Sequence, residues 1–214
     1  MARSTARPAP PRLSPPDLPE ELAPAPGRRH GDHVGQRIPL GEDLAHARLE
    51  QCVLSGAAER AELTGSTLLD VEIVDARTPV LSLKNATIRR LRIAGGRVGT
   101  LDLSGAHVAE LIVEQARIDY LSLAAATVQD ARIVACALST LDLPMASLTR
   151  VAFEGCRVDE VDTRGLRADS LDLRGLDALA FLDVTSLKGA TLTTPQVAAL
   201  ADVLARAAGI DVQD

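Results

Sequence analysis

Aromatic side chains are almost missing from this sequence: 214 residues include two Phe, one Tyr and no Trp. A core must therefore be packed by Leu, Val, Ile and Ala. The stacking platforms on which single-stranded nucleic acid is held have almost no side chains to build them, so direct nucleic-acid binding is not expected. Cysteine is scarce too, with three residues and no paired CxxC spacing, which argues against a disulfide framework and against a zinc site. No apolar stretch approaches the roughly eighteen residues of a membrane span. The opening MARSTARPAP carries positive charge without the apolar run of a signal peptide. The expectation is a soluble, cytoplasmic protein without metal, cofactor or membrane contact.

Proline is abundant, but only at one end. Nine of twelve prolines fall in residues 1–40 among Arg, Gly and small polar residues, which predicts a disordered or extended tail there. His30 and His33 flank Asp32 in that segment, and without a rigid element beneath them they read as solvated tail histidines. Residues 41–60 hold further apolar pairs in a shifted frame, Ala47 with Leu49 and Cys52 with Leu54. The stretch Ala57–Arg60 is one residue short, which predicts an irregular first coil.

From Ala61 to residue 180 the apolar positions recur every five residues, as no helix of period 3.6 would place them. Leu63, Leu83, Leu103, Leu123 and Leu143 are among the centres; Thr78, Thr163, Ala168 and Ala178 are the weak members. Two residues before each centre stands a companion. Leu81, Leu91, Leu101, Leu111 and Leu121 alternate with Ala86, Gly96, Ala106, Ala116 and Ala126, so the true period is ten. Gly65, Gly95, Gly105, Gly155, Gly165 and Gly175 close units of the first set, where a tight turn needs positive φ.

The units LDLSG from 101, AHVAE from 106, ARIDY from 116, LDLPM from 141 and LDLRG from 171 resemble the pentapeptide-repeat family. The resemblance implies an all-β solenoid: a right-handed quadrilateral parallel β-helix with about twenty residues per coil. Leu stands at the companion position where the family has a small residue, which implies a distorted square. A leucine-rich repeat is the nearest rival for the LxL recurrence. It lacks the Asn or Cys that should follow and leaves the small units unexplained.

Residues 181–214 leave the frame. Thr194 and Pro195 read as a helix N-cap and first turn, with a helix over about 195–208 closed by Gly209. Val197, Leu200 and Leu204 share a face that would cap the open end of the stack, or cap it and also join a second copy.

With twenty residues per coil, side chains twenty apart form ladders at about 4.8 Å spacing. One face carries Glu62, Ser82, Asp102, Ser122, Asp142 and Asp162; the next carries Thr67, Thr87, His107, Thr127, Ser147 and Arg167. A third reads Glu72, Arg92, Ile112, Arg132, Ala152 and Asp172, without consistent character. The fourth carries Arg77, Arg97, Arg117, Ala137, Arg157 and Asp177. Guanidinium forks suit an acidic partner or phosphate, but Asp119, Asp159 and Glu160 stand close enough in sequence for internal pairing to be expected. Cys136 and Cys156 fall at inward positions one coil apart and read as small core residues.

No nucleophile is fixed beside His46 or His107, so a non-enzymatic module binding a protein partner is expected. The family resemblance also implies an alternative: a DNA-mimicking modulator of DNA gyrase of the quinolone-resistance type. Charge counts against it. Residues 81–180 carry a net of −1 and residues 41–80 a net of −5, whereas duplex DNA presents one negative charge per roughly 1.7 Å.

Overall fold

The computed structural model describes residues 7–24 and 31–213. The alternation of inward aliphatic and outward polar residues produces a parallel β-solenoid of about eight turns. Each strand pairs with the strand twenty residues on: Leu81 with Leu101, Leu101 with Leu121, Leu121 with Leu141, and Leu141 with Val161. Centres stack in the same way. Leu63, Leu83, Leu103, Leu123 and Leu143 are all buried within one continuous aliphatic core. Of the weak centres, Thr78 and Thr163 are also buried, and their hydroxyls donate to the carbonyls of Val80 and Asp183. A buried hydroxyl is tolerated because a backbone acceptor stands within reach.

Many corners of the coil are left-handed. Gly95 and Gly105 sit at φ 67° and 66°, where no Cβ opposes the turn. Non-glycine residues adopt the same conformation at other corners, among them Asp70, Asn85, Arg90, Ala125, Asp130 and Arg150. Gly175 departs from the expectation. Its φ is not positive, and a side chain there would run into the Phe153 carbonyl.

The solenoid begins earlier than the composition suggests. Strand Asp32–Val34 pairs with Arg48–Glu50, and strand Gln36–Pro39 pairs along Val53–Ser55. The expected disordered tail to residue 40 is corrected accordingly: Ile38 and Leu40 are buried and give this segment a core contribution. His33 is not a solvated histidine but is 3% exposed, its Nδ1 2.9 Å from the Gln36 side-chain oxygen. His30 lies outside the described residues. The following coil pairs Arg48 with Thr67, an offset of nineteen, until a register shift between Ser55 and Ala57 restores twenty, with Ala57 opposite Arg77.

Residues 7–22 are extended and form no strand, yet they are placed. The Arg12 amide donates to Asp130 at 2.8 Å, the Ser14 amide to Glu110 at 2.7 Å and the Asp17 amide to Asp70 at 3.0 Å. The segment therefore runs along the solenoid axis as a strap. Its composition predicted an unpaired chain; the acceptors that hold it come from distant coils.

At the other end, α1 (Thr194–Ala199) and α2 (Ala201–Ala207) meet at Leu200. The N-cap is Thr193 rather than Thr194. Gln196 then falls at the third helical position and closes a reciprocal capping box, its side chain accepting from the Thr193 amide at 2.7 Å. Gly209 (φ 78°) donates to Arg206 and Ile210 donates to Ala205, the Schellman arrangement that ends the helix. Neither helix buries a residue, so Val197, Leu200 and Leu204 do not form a packed lid. The Gln196 side-chain nitrogen instead donates to the Leu173 and Leu176 carbonyls of the last coil, at 2.8 Å each.

Replacing Leu123 by Ala in mid-stack should lower unfolding free energy by about 2–5 kcal/mol in chemical denaturation. Thr127→Ala, on an exposed position, should be nearly silent; equal losses would refute the inward and outward assignment. A second expectation concerns pH. Asp130 and Asp70 are held below the usual carboxylate range, first by hydrogen bonds from Arg150 and Arg90, against opposing burial, with the Arg12 and Asp17 amides adding to the effect. A depressed native pKa gives stability that is present above the unfolded value and lost as pH falls through the native one. Protection of the Arg12 and Asp17 amides from hydrogen exchange, corrected for intrinsic rates, should stay level from pH 7 to about 4. It should drop below that; loss at higher pH would contradict the pairing.

Candidate functional site

The acidic ladder is in register: Glu62 pairs with Ser82, Ser82 with Asp102, Asp102 with Ser122, Ser122 with Asp142, and Asp142 with Asp162. Its members are recessed, however, and Ser82, Ser122 and Asp162 are buried. The reason is local. In these units the residue before the centre accepts from the amide two residues on, as Asp102 does from Ser104 at 2.9 Å and Asp162 from Arg164 at 3.1 Å. Glu62 does the same for Thr64. These are side-chain turn caps at the corner.

Charge on this strip is also partly compensated. The Arg164 guanidinium, against burial, holds the Asp162 carboxyl below its usual range. Burial works to raise Glu62, but hydrogen bonds from Thr64 and Arg60 outweigh it and the net direction is down. Tyr120, beside the strip, is pushed up to about 12, first by burial and then by Asp142, Asp102 and Asp162.

The fourth face is built differently. The units that carry its arginines have small companions, Ala76, Gly96, Ala116 and Cys156. Arg77, Arg97, Arg117 and Arg157 are all exposed, with Arg77 opposite Arg97 and Arg97 opposite Arg117 on consecutive coils. The expected internal pairing is not found at most positions. Among the described residues the ladder makes one ion pair, Arg117 with Asp119 at 3.9 Å, between side chains 65% and 47% exposed. Such a pair contributes little. Two like charges about 5 Å apart repel by roughly 1 kcal/mol even in water, so an anionic group laid across these coils would relieve that repulsion.

A further ladder was missed in the sequence because it occupies corner positions, not the position before each centre. Asp70, Arg90, Glu110, Asp130, Arg150 and Ser170 recur every twenty residues. Arg90 grips Asp70 with both forks, and Arg150 grips Asp130 at 2.6 and 2.8 Å. The signal in the sequence is a column of five charged residues of both signs at that spacing. Next to it, Arg92 bridges Glu72 and Glu114, while Ile112, expected to face outward, is 9% exposed in a cleft shared with Pro10, Pro11, Leu13 and Pro15. The strap covers it.

Cys136 and Cys156 are buried free thiols, and Cys136 is raised by its neighbour Cys156 and by burial. Among the described residues no group of three His, Cys, Asp or Glu is placed to hold a metal ion, and no helix is long and apolar enough to cross a membrane. A second cleft, of about 620 Å³, separates α1 from the last coil; Arg157, Leu176, Phe181, Gln196 and Leu200 are among its walls.

No protein-family model matches the chain and no curated protein matches it. Among solved structures, a trypsin-treated form of QnrB1, a plasmid-mediated fluoroquinolone resistance protein, is 14% identical; 86% of this chain and 99% of that chain are covered, with a TM-score of 0.29. HetL, a pentapeptide repeat protein involved in heterocyst differentiation regulation from the cyanobacterium Nostoc sp. strain PCC 7120, is 18% identical. There 77% of this chain and 89% of that chain are covered, with a TM-score of 0.26. On its own geometry, an unslipped five-residue frame folded into parallel coils that pair at twenty residues, this chain is a parallel β-solenoid built from five-residue units.

Proposed function

We propose that this chain is a non-enzymatic protein-interaction rod whose binding face is the ladder Arg77, Arg97, Arg117 and Arg157, directed at an acidic surface of a partner protein. One observation carries the reading: guanidinium groups stand exposed and in register on consecutive coils with a single long ion pair among them. Glu62, Asp102, Asp142 and Asp162 offer less, since the strip they form is recessed and several of its members cap turns. Binding through the arginines should weaken with salt, because exposed charges are screened within about 8 Å at physiological ionic strength. Reversing Arg97 and Arg117 together to Glu should abolish partner capture from lysate while leaving the melting temperature within a few degrees. Unchanged capture would sink the assignment of this face.

The gyrase-modulating reading is kept as the alternative that the pentapeptide-repeat fold suggests. The net charge of −1 over residues 81–180 opposes sustained DNA mimicry, while the net of −5 over residues 41–80 and the acidic strip near Tyr120 favour it. Purified chain at stoichiometric concentration should leave gyrase supercoiling, with and without quinolone, unchanged; inhibition or protection would overturn the preferred reading.

A separate observation favours a homodimer through the C-terminal end. Leu179, Leu182, Val197, Val203, Ile210 and Val212 are exposed apolar residues gathered in the last thirty-six positions, against three elsewhere among the described residues. Leu179→Asp with Val197→Asp should shift sedimentation from dimer to monomer. A monomeric wild-type chain at micromolar concentration would rule the contact out.

A further inference from the structure

The strap and the corner ladder match each other residue by residue. The strap reads Pro10, Pro11, Arg12, Leu13, Ser14, Pro15, Pro16, Asp17, so pairs of imino residues alternate with residues that carry an N–H. The ladder beneath it reads Asp70, Arg90, Glu110, Asp130, Arg150. Coils are spaced about 4.8 Å apart, and a polyproline II chain advances about 3.1 Å per residue with three residues per turn. One turn, about 9.3 Å, therefore spans two coils, about 9.6 Å. Ser14 and Asp17 are three residues apart, and their acceptors Glu110 and Asp70 are two coils apart.

At that pitch Pro15 and Pro16 fall level with Arg90, and Pro10 and Pro11 level with Arg150. The N–H groups of Arg12, Ser14 and Asp17 thus each meet a carboxylate, and each proline pair, which has no N–H to donate, lies beside a guanidinium that has no acceptor to offer. Those arginines are engaged with the neighbouring Asp70 and Asp130, which fixes the carboxylates toward the strap. Pro8, Pro11, Leu13, Pro16 and Leu18 are half-buried, while the residues between them are exposed.

All three polar contacts use the backbone of the strap and none uses its side chains. Nothing in them is specific to this segment beyond the spacing of donors and prolines. We propose that the corner ladder is a docking rail for extended proline-rich peptides, with residues 10–17 as its resident occupant and a proline-rich segment of a partner protein as the ligand that exchanges with it. The proposal rests on the reading of the chain as an interaction module, but it uses a different face from the arginine ladder.

A tethered occupant acts at an effective concentration in the millimolar range and suppresses binding in trans. Weakening it should uncover the rail. The full-length variant Ser14→Pro with Asp17→Pro removes two donors while keeping the strap extended and the strands untouched. Each lost amide-to-carboxylate bond should favour release by about tenfold. A fluorescein-labelled peptide with the sequence of residues 8–19 should then bind the double variant at least tenfold more tightly than the wild-type chain in an anisotropy titration. Adding Glu110→Gln to that variant should weaken the peptide about tenfold.

Equal affinity for the two chains, or binding to neither, overturns the proposal, as does equal binding of a control peptide with proline at both donor positions. On the wild-type chain, peptide at millimolar concentration should speed hydrogen exchange of the Arg12, Ser14 and Asp17 amides; unchanged exchange counts against the rail. A chain that takes no peptide yet captures an acidic partner through Arg97 and Arg117 loses this proposal and keeps the reading of the arginine face.

Discussion

Everything in this structure depends on the pairing of each strand with the one twenty residues later. That register is set by backbone hydrogen bonds, but it is enforced by burial, because a slip of one residue would turn a column such as Leu81, Leu101, Leu121 and Leu141 outward. With so few aromatics, Phe153 is the one fully buried ring in the stack among the described residues. Specificity comes instead from many small aliphatic contacts repeated identically, each worth about 0.8 kcal/mol per buried methylene. The left-handed corners are the cost of this arrangement. Where they fall on Asp or Asn the conformation is tolerated, and where they fall on Ala125 or Arg150 the strain must be offset by the strands on either side.

The same register decides which side chains are free to act. Units with large and small companions differ not only inside the core but outside it. Asp102 and Asp162, before centres of the acidic strip, cap their own turns, while Arg77, Arg97, Arg117 and Arg157, before centres with small companions, are exposed. An acidic ladder and an arginine ladder of similar length in the sequence therefore differ in availability. The Asp102 and Asp162 carboxylates are committed to local amides, whereas the guanidinium groups of Arg77 and Arg97 are not committed to any carboxylate among the described residues.

The five-residue frame, the ten-residue alternation and the inward placement of Cys136 and Cys156 were legible because each depends on neighbours close in sequence or at a constant spacing. The position of Thr193 was legible too, through Gln196 three residues on, though Thr194 beside Pro195 is the more obvious reading. His33 and the strap were not. His33 looks like a tail residue until the strand Arg48–Glu50 is set beside it. The Asp130 acceptor for Arg12 lies 118 residues away, and proline-rich composition describes the conformation of a segment without saying whether anything holds it. The corner ladder is hidden for a simpler reason: its residues close the units, outside the position before each centre from which the four faces are read, and all but Glu110 have positive φ.

A solenoid whose coils touch only their immediate neighbours comes apart by fraying, one coil at a time from either end. This one is tied lengthwise. A single extended segment bonds to Asp70, Glu110 and Asp130, and so joins the coil of Asp70 to coils two and three further on, with which it shares no strand pairing. The middle of the rod is thereby made into one cooperative block, with ends that can loosen independently of it.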